Sequence, residues 1–167
     1  MKTKKVLLFL VVVCIYSNLN AQLPMKDNDV VYEGVITVED VSKDILFDRL
    51  YEWFAKTYNS ANNVIQLKDK ESGKIIGKGV FSIVYYQRKP TISYTISVFV
   101  RDGRFKYVVD QISYRDIQGD SFSIENFPQS WFGKKKLYET INDKISIYIK
   151  GLEQSVLQET RGESDDW

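Results

Sequence analysis

The chain contains no histidine and only one cysteine, and just three prolines and nine glycines interrupt its 167 residues. Without histidine there is no Ser-His-Asp triad, no Cys-His pair and no imidazole metal site. Neither charge sign dominates, with 23 basic residues against 22 acidic ones. No repeat, low-complexity tract or Pro/Gly-rich linker divides the chain, and its length fits one domain. What it has is apolar bulk: 44% hydrophobic residues, including three Trp, eleven Tyr and nine Phe, beside 27% charged residues. Those proportions belong to a globular chain and not to a disordered one.

The one long apolar run, 6–15, follows Lys2, Lys4 and Lys5 and precedes Asn18, Leu19, Asn20 and Ala21. A positive start, a short greasy middle and a small residue at the exit are the parts of a secretory signal peptide. A bilayer-spanning helix needs about 20 apolar residues, so this run is no membrane anchor. A buried helix would need a polar face, which 6–15 lacks. The expected mature chain begins at Gln22. Cys14 is poorly placed for lipidation, because Val11, Val12 and Val13 precede it where a lipoprotein signal wants a small residue. Removal of 1–21 takes away the only cysteine, so an apolar core must hold the fold without disulfides. Of the 23 basic residues 20 remain against 22 acidic, a net of −2. That balance argues against nucleic acid as a partner, which calls for a basic excess.

The remaining organisation reads as a polar leader over 22–29, one domain over 30–157 and an acidic tail over 158–167. Val30, Tyr32, Ile36 and Val38 alternate with polar residues and predict a first strand over 30–39. Ser42 is a good N-cap, Asp44 suits the positive end of a helix, and Val41 and Leu46 have the spacing of a hydrophobic staple. The helix then runs to about Tyr58 with Leu46, Leu50, Trp53, Phe54 and Thr57 as its inner stripe. Strands are expected over 64–69, 74–85 and 91–101. Asp102-Gly103 predicts a two-residue hairpin with positive φ at both positions. That turn would set Val100 opposite Phe105, Val98 opposite Tyr107 and Ile96 opposite Val109, apolar against apolar at each step. The next strand fades by Asp116. The connection 117–133 is long for pure loop, and 121–125 reads as a short edge strand within it. Leu137, Ile141, Ile145, Ile149, Leu152 and Val156 predict a second helix over 134–157, with Gly151 allowing close approach to the sheet.

Four groups of residues invite a chemical reading. Asp44, Asp48 and Glu52 share a helix face, but acids at that spacing, with Lys56 in reach of Glu52, form a solvated face unless buried. Gly73-Lys74-Ile75-Ile76-Gly77-Lys78-Gly79 has the look of a phosphate loop, yet it lies in a hairpin and not between a strand and a helix. Its glycines are better suited to close packing or a bulge. Lys134, Lys135 and Lys136 open the last helix and read as a solvated patch. Tyr85, Tyr86, Phe99, Tyr114, Phe127 and Trp131 are not claimed by the core pattern; exposed rings can stack on sugars or bury against a partner, while packing accounts for most such residues.

The order strand, helix, four strands, helix behind a secretory leader resembles a known family. The carriers are Trp53-Phe54-Ala55-Lys56, Val64-Ile65-Gln66-Leu67, Gly73-Lys74-Ile75-Ile76-Gly77-Lys78-Gly79 and Val100-Arg101-Asp102-Gly103-Arg104-Phe105. Together they are similar to the exported bacterial domain-of-unknown-function family 4468, which has a TBP-like fold. The likeness spans 30–156, with the connection 117–133 as its departure. It implies a fold and no catalytic residue, and a fold name implies nothing about DNA.

The expected fold is therefore α+β, TBP-like in the order β-α-β-β-β-β-α. Its sheet has five mainly antiparallel strands, with both helices on one face, since each helix has a single apolar stripe to bury. The opposite face would stand open and present Phe99, Arg101, Arg104, Lys106, Val108 and Ile112, unusually apolar for wetted surface. The expected function is a non-catalytic binding or assembly module of the bacterial cell envelope, in the periplasm or at the cell surface. Its partner would be a protein, a second copy or a glycan, and no cofactor or metal is called for. The alternative is a carboxylate-dependent hydrolase of envelope or dietary glycans, drawing on Asp110, Asp116 or Asp120, which would need two carboxylates roughly 5–9 Å apart.

Overall fold

The structure, a computed structural model, describes residues 22–58, 64–84, 89–128 and 133–158. The signal region, the acidic tail beyond 158, and Tyr85, Tyr86 and Trp131 lie outside the described residues. The elements in order are β1 (Met25–Lys26), β2 (Asp29–Val30), β3 (Tyr32–Thr37), α1 (Lys43–Thr57), β4 (Ile65–Asp69), β5 (Lys74–Ser82), β6 (Thr91–Arg101), β7 (Arg104–Arg115), β8 (Ser121–Ser123), a 3₁₀ turn (Ile124–Asn126) and α2 (Lys134–Gln158).

The main sheet is antiparallel throughout, in the order β3-β7-β6-β5-β4. β8, which falls within the short edge strand expected over 121–125, joins the five expected strands as a sixth: it pairs 113–115 of β7, while β3 pairs 104–109 on the same edge. The hairpin register is as the turn required, with Val100 opposite Phe105, Val98 opposite Tyr107 and Ile96 opposite Val109. Only Gly103 takes positive φ there, at 69°, and not both turn residues. The doubly positive turn lies at Asp27-Asn28, with φ of 52° and 73°. It folds the segment read as a leader into the β1–β2 ribbon, where Leu23 and Val30 are buried. The Val30 amide donates to Glu125 Oε1 at 3.0 Å, tying the ribbon to the 3₁₀ turn.

α1 begins where the caps put it. Ser42 Oγ accepts from the Ile45 amide at 3.5 Å, and Asp102 Oδ1, reaching over from the hairpin turn, accepts from the Lys43 amide at 2.7 Å. Two of the orphan amide donors of the first turn are thereby satisfied. The buried stripe is Leu46, Leu50, Trp53 and Phe54 as expected, joined by Phe47 and Arg49; Thr57 is only half-buried. α2 buries Leu137, Ile141, Ile145, Ile149, Leu152 and Val156.

Both helices cover the same face of the sheet. Phe54 of α1 lies so close over β5 that a Cβ on Gly77 would stand 2.8 Å from its ring. Tyr148 of α2 packs at ring separations of 6.1 and 5.9 Å on Phe81 and Tyr94 of β5 and β6. Gly151 serves helix–helix contact and not approach to the sheet, since a Cβ there would meet Trp53 Nε1 of α1 at 3.4 Å. Each fully buried Leu, Ile or Phe side chain contributes about 1.5–3 kcal/mol of transfer free energy, so this single apolar layer dominates stability.

One local event alters the expected face pattern. Thr95 pairs Asp110 and Ser93 pairs Ser113, so β7 carries one residue more than β6 across this stretch. The bulge centres on Gln111, whose φ is 51°. An inserted residue reverses the inside–outside phase of the strand beyond it. Phe105 and Val109 face the helices before the bulge, and Ile112 and Tyr114 do so after it. Ile112, expected on the open face, is 1% exposed and belongs to the core.

Candidate binding surface on the open sheet face

The face away from the helices is built from the outward residues of β3, β5, β6 and β7. Its middle is a ladder of hydroxyls: Ser93 and Ser113 Oγ atoms stand 2.7 Å apart, and the Thr95 hydroxyl donates to Gln111 Oε1 at 2.9 Å. The bulge thus turns the Gln111 side chain over Thr95, which is buried although it points away from the core.

Towards the Asp102-Gly103 turn the ladder gives way to a hollow of about 510 Å³, lined by Val35, Phe99, Arg101, Arg104, Lys106 and Val108. Five of the six residues expected on this face, all but Ile112, are therefore brought together, and Val35 of β3 joins them. Val35 and Phe99 are 59% and 40% exposed, large values for apolar residues within strands. Val35 was missed because it lies one strand away from the hairpin, although the alternation around Tyr32 and Ile36 already turns it outwards.

The rim is cationic. Arg101 and Arg104 are direct cross-strand partners, and neither forms a salt bridge among the described residues. Like charges opposite each other on a ladder are unfavourable. Lys74 lies over the Phe99 ring at 5.4 Å, adding a third positive group. Lys106 differs, because its ammonium donates to Glu33 Oε2 at 2.8 Å, and Glu33 Oε1 also accepts from Lys26 at 2.5 Å. Hydrogen bonds from Lys106 and then Lys26 hold the Glu33 carboxyl down to about 2. Among the described residues one lysine of the rim is thus neutralised, and the two arginines are not.

The other candidates are spoken for. Asp48 accepts from Lys70 at 2.7 and 2.8 Å, and Glu52 pairs Lys56 at 2.6 Å, as befits a solvated helix face. The glycine-rich segment lies in the β4–β5 hairpin, with Gly73 in the turn at φ 68° and Gly77 beneath Phe54. Tyr114 and Phe127 are buried against each other at 5.2 Å. Lys134 sits over the Tyr138 ring at 5.0 Å, while Lys135 and Lys136 are exposed. Asp116 Oδ1 accepts from the amides of Gln118 and Asp120, both at 2.9 Å, so it shapes its own turn. Burial, then the nearby Asp29, pushes the Asp110 carboxyl up. The hollow is lined by no carboxylate. Among the described residues no group of three Cys, Asp or Glu is placed to hold a metal ion. Nor is any helix there long and apolar enough to cross a membrane.

Comparison with known proteins places this architecture. The family model of a domain of unknown function with TBP-like fold, DUF4468, matches residues 32–115, from the start of β3 to the end of β7. The chain belongs to the DUF4468 family. A crystal structure of a DUF4468 protein from Bacteroides ovatus superposes with a TM-score of 0.67 at 16% identity, covering 83% of this chain and 91% of that one. A TBP-like protein from Parabacteroides distasonis gives 0.64 at 17% identity, covering 78% and 96%. Identities this low show a common fold and nothing of activity. No curated protein matches the chain. The matched segment contains the hollow, whereas the β1–β2 ribbon, β8 and α2 lie outside it.

Proposed function

We propose that this DUF4468 protein is a non-catalytic binding or assembly module exported to the cell envelope, and that it works through the hollow on its open sheet face. The observation that carries this reading is the pair Arg101 and Arg104, opposite each other and without anionic partners among the described residues, beside the half-exposed ring of Phe99. Export is supported by the charged, apolar and small-residue order of 1–21. Unneutralised arginines around an aromatic suit a ligand with both an apolar surface and negative charge. Acidic envelope glycans and acidic protein segments both have that chemistry. The hydrolase alternative gains no support from the hollow, which offers cations and apolar walls where acid–base chemistry would need paired carboxylates.

The test is retention of the protein on purified envelope polysaccharide and on outer-membrane vesicles. Phe99→Ser and the double variant Arg101→Glu/Arg104→Glu are compared with the parent, with melting temperature checked in parallel. A loss of about tenfold or more in affinity, equal to about 1.4 kcal/mol, is expected for each variant with folding intact. Unchanged retention in both would remove this face as the binding surface.

A further inference from the structure

Unpaired positive charge gathers at one end of the open face. Arg101 and Arg104 form one cross-strand row, and Lys74, Phe99 and Lys106 form the next. Phe99 therefore has a lysine on either side and an arginine two residues along its own strand. Glu33 neutralises Lys106, whereas Lys74, Arg101 and Arg104 have no acidic partner among the described residues. Asp69, opposite Lys74, accepts instead from the Ser72 amide at 3.0 Å.

Further along β6 the face changes character. Ser97, Thr95 and Ser93 follow Phe99 at alternate positions, and Gln111 and Ser113 of β7 extend the row of hydroxyls sideways. The row through Thr95 carries Lys78 on one side and Asp110 on the other, charges that cancel. The strip from Arg101 to Ser93 is about 26 Å long at roughly 3.3 Å per residue. It is cationic and aromatic at its head and hydroxylated, without net charge, along its length.

That order separates the classes of anion. An extended peptide draws its affinity from main-chain hydrogen bonds to a free strand edge. Here β6 is paired to β5 and β7, and β7 beneath the hollow is paired to β6 and β3, so no edge is on offer. A polymer charged on every unit would meet no further excess of cations beyond the head. An acidic sugar offers a C–H face to lie on Phe99 and a planar carboxylate that a guanidinium grips with two hydrogen bonds. Neutral sugars carry hydroxyls, which serine and threonine meet as donor and acceptor at once.

We infer that the open face is a groove for an oligosaccharide with an acidic end unit. Its carboxylate lies at Arg101 and Arg104, the ring of that unit on Phe99, and the neutral units along Ser97, Thr95 and Ser93. The inference rests on the reading of the hollow as a binding site and adds the class of ligand and the direction in which it lies.

The experiment titrates the full chain under two-dimensional NMR with four probes. They are xylopentaose, the same oligosaccharide bearing one glucuronic acid on its terminal unit, an oligogalacturonate of similar length and a poly-glutamate peptide. The singly acidic oligosaccharide is expected to bind about tenfold or more tightly than xylopentaose, the effect of a charge-assisted hydrogen-bonded pair. It should shift Ser93, Ser97, Phe99 and Arg101 together. Arg101→Glu/Arg104→Glu is expected to abolish the preference for the acid. Ser93→Val/Ser97→Val, which keeps strand-forming residues, should weaken the acidic oligosaccharide several-fold and leave free glucuronate unaffected. Tighter binding of oligogalacturonate or poly-glutamate would overturn the inference, leaving the hollow as a general anion surface. So would shifts at Phe99 and Arg101 with both serines silent. Silence towards all four probes overturns it as well, while retention on whole envelope material separately decides whether the hollow binds at all.

Discussion

The two faces of the sheet obey different rules although the same strands make both. On the helix side every described residue of β6 from Ile92 through Tyr94, Ile96 and Val98 to Val100 is buried, and glycine appears where a ring must come close. Gly79 lies directly opposite Tyr94 and Gly34 directly opposite Tyr107, and in each pair the tyrosine ring lies over the glycine. On the reverse, the same strands carry Ser93, Thr95 and Ser97, then Phe99 and Arg101 at the end. The covered face is governed by volume. The open face carries hydrogen-bonding groups in its centre and exposed charge and aromatic surface at one end, a distribution that packing does not require.

The sharpest way to break this contrast is to make one substitution on each side. Ile112→Ser leaves a cavity and an unpartnered hydroxyl in the core and is expected to cost about 3–5 kcal/mol. For a domain of this size that lowers the melting temperature by roughly 10–20 °C. Phe99→Ser removes a ring that is already 40% exposed and is expected to cost less than about 1 kcal/mol. Calorimetry on the two variants decides the matter: equal losses would mean that the bulge does not reverse the faces.

A smaller effect is expected from Gly77→Ala. The added Cβ would stand 2.8 Å from Phe54 Cε1 and 3.3 Å from Val64 Cγ1, and Phe54 is fully buried and cannot swing away. Overpacking of this kind costs about 1–3 kcal/mol, read as a drop in the midpoint of denaturant unfolding. An unchanged midpoint would mean that α1 rides higher over β5 than described.

The least expected change concerns the exposed edge. Glu33 has its carboxyl lowered from 4.5 to about 2 by Lys106 and Lys26. A folded-state value below the unfolded one means that the pairing supports the fold above about pH 4.5 and is lost as pH falls through about 2. NMR titration should place the Glu33 midpoint near 2 in the parent and closer to 4.5 in Lys106→Ala. A midpoint that ignores the lysine would dissolve the Lys26–Glu33–Lys106 link.

Much of the covered face could be read from residue order, because several local signals agree there. The Asp102-Gly103 turn and the alternation of 92–100 both set one register, and the stripes of the two helices demanded a common apolar surface. The open face was readable only as far as Asp110. At Val108-Val109-Asp110-Gln111-Ile112 apolar residues occur in both phases, and the bulge falls on glutamine, which carries no glycine or proline to mark it. Phe47 and Arg49 escaped notice for another reason: a stripe drawn at single helical positions is narrower than the surface that α1 buries. The β1–β2 ribbon was signalled by Asp27-Asn28, a pair that tolerates left-handed backbone, but its strands are too short to show alternation.

The turn between β6 and β7 is sewn into its surroundings on several sides. The Gly103 amide donates to the Val41 carbonyl at 2.9 Å, and the Gly103 carbonyl accepts from Val38 at 2.9 Å. The Val100 amide reaches Gly73 at 2.7 Å, and Asp102 holds the first amide of α1. The main chain bearing the two arginines accordingly has no slack. Their Cα atoms keep the ladder spacing of about 5 Å, so the two cationic side chains leave the sheet from a base that the surrounding hydrogen bonds hold still.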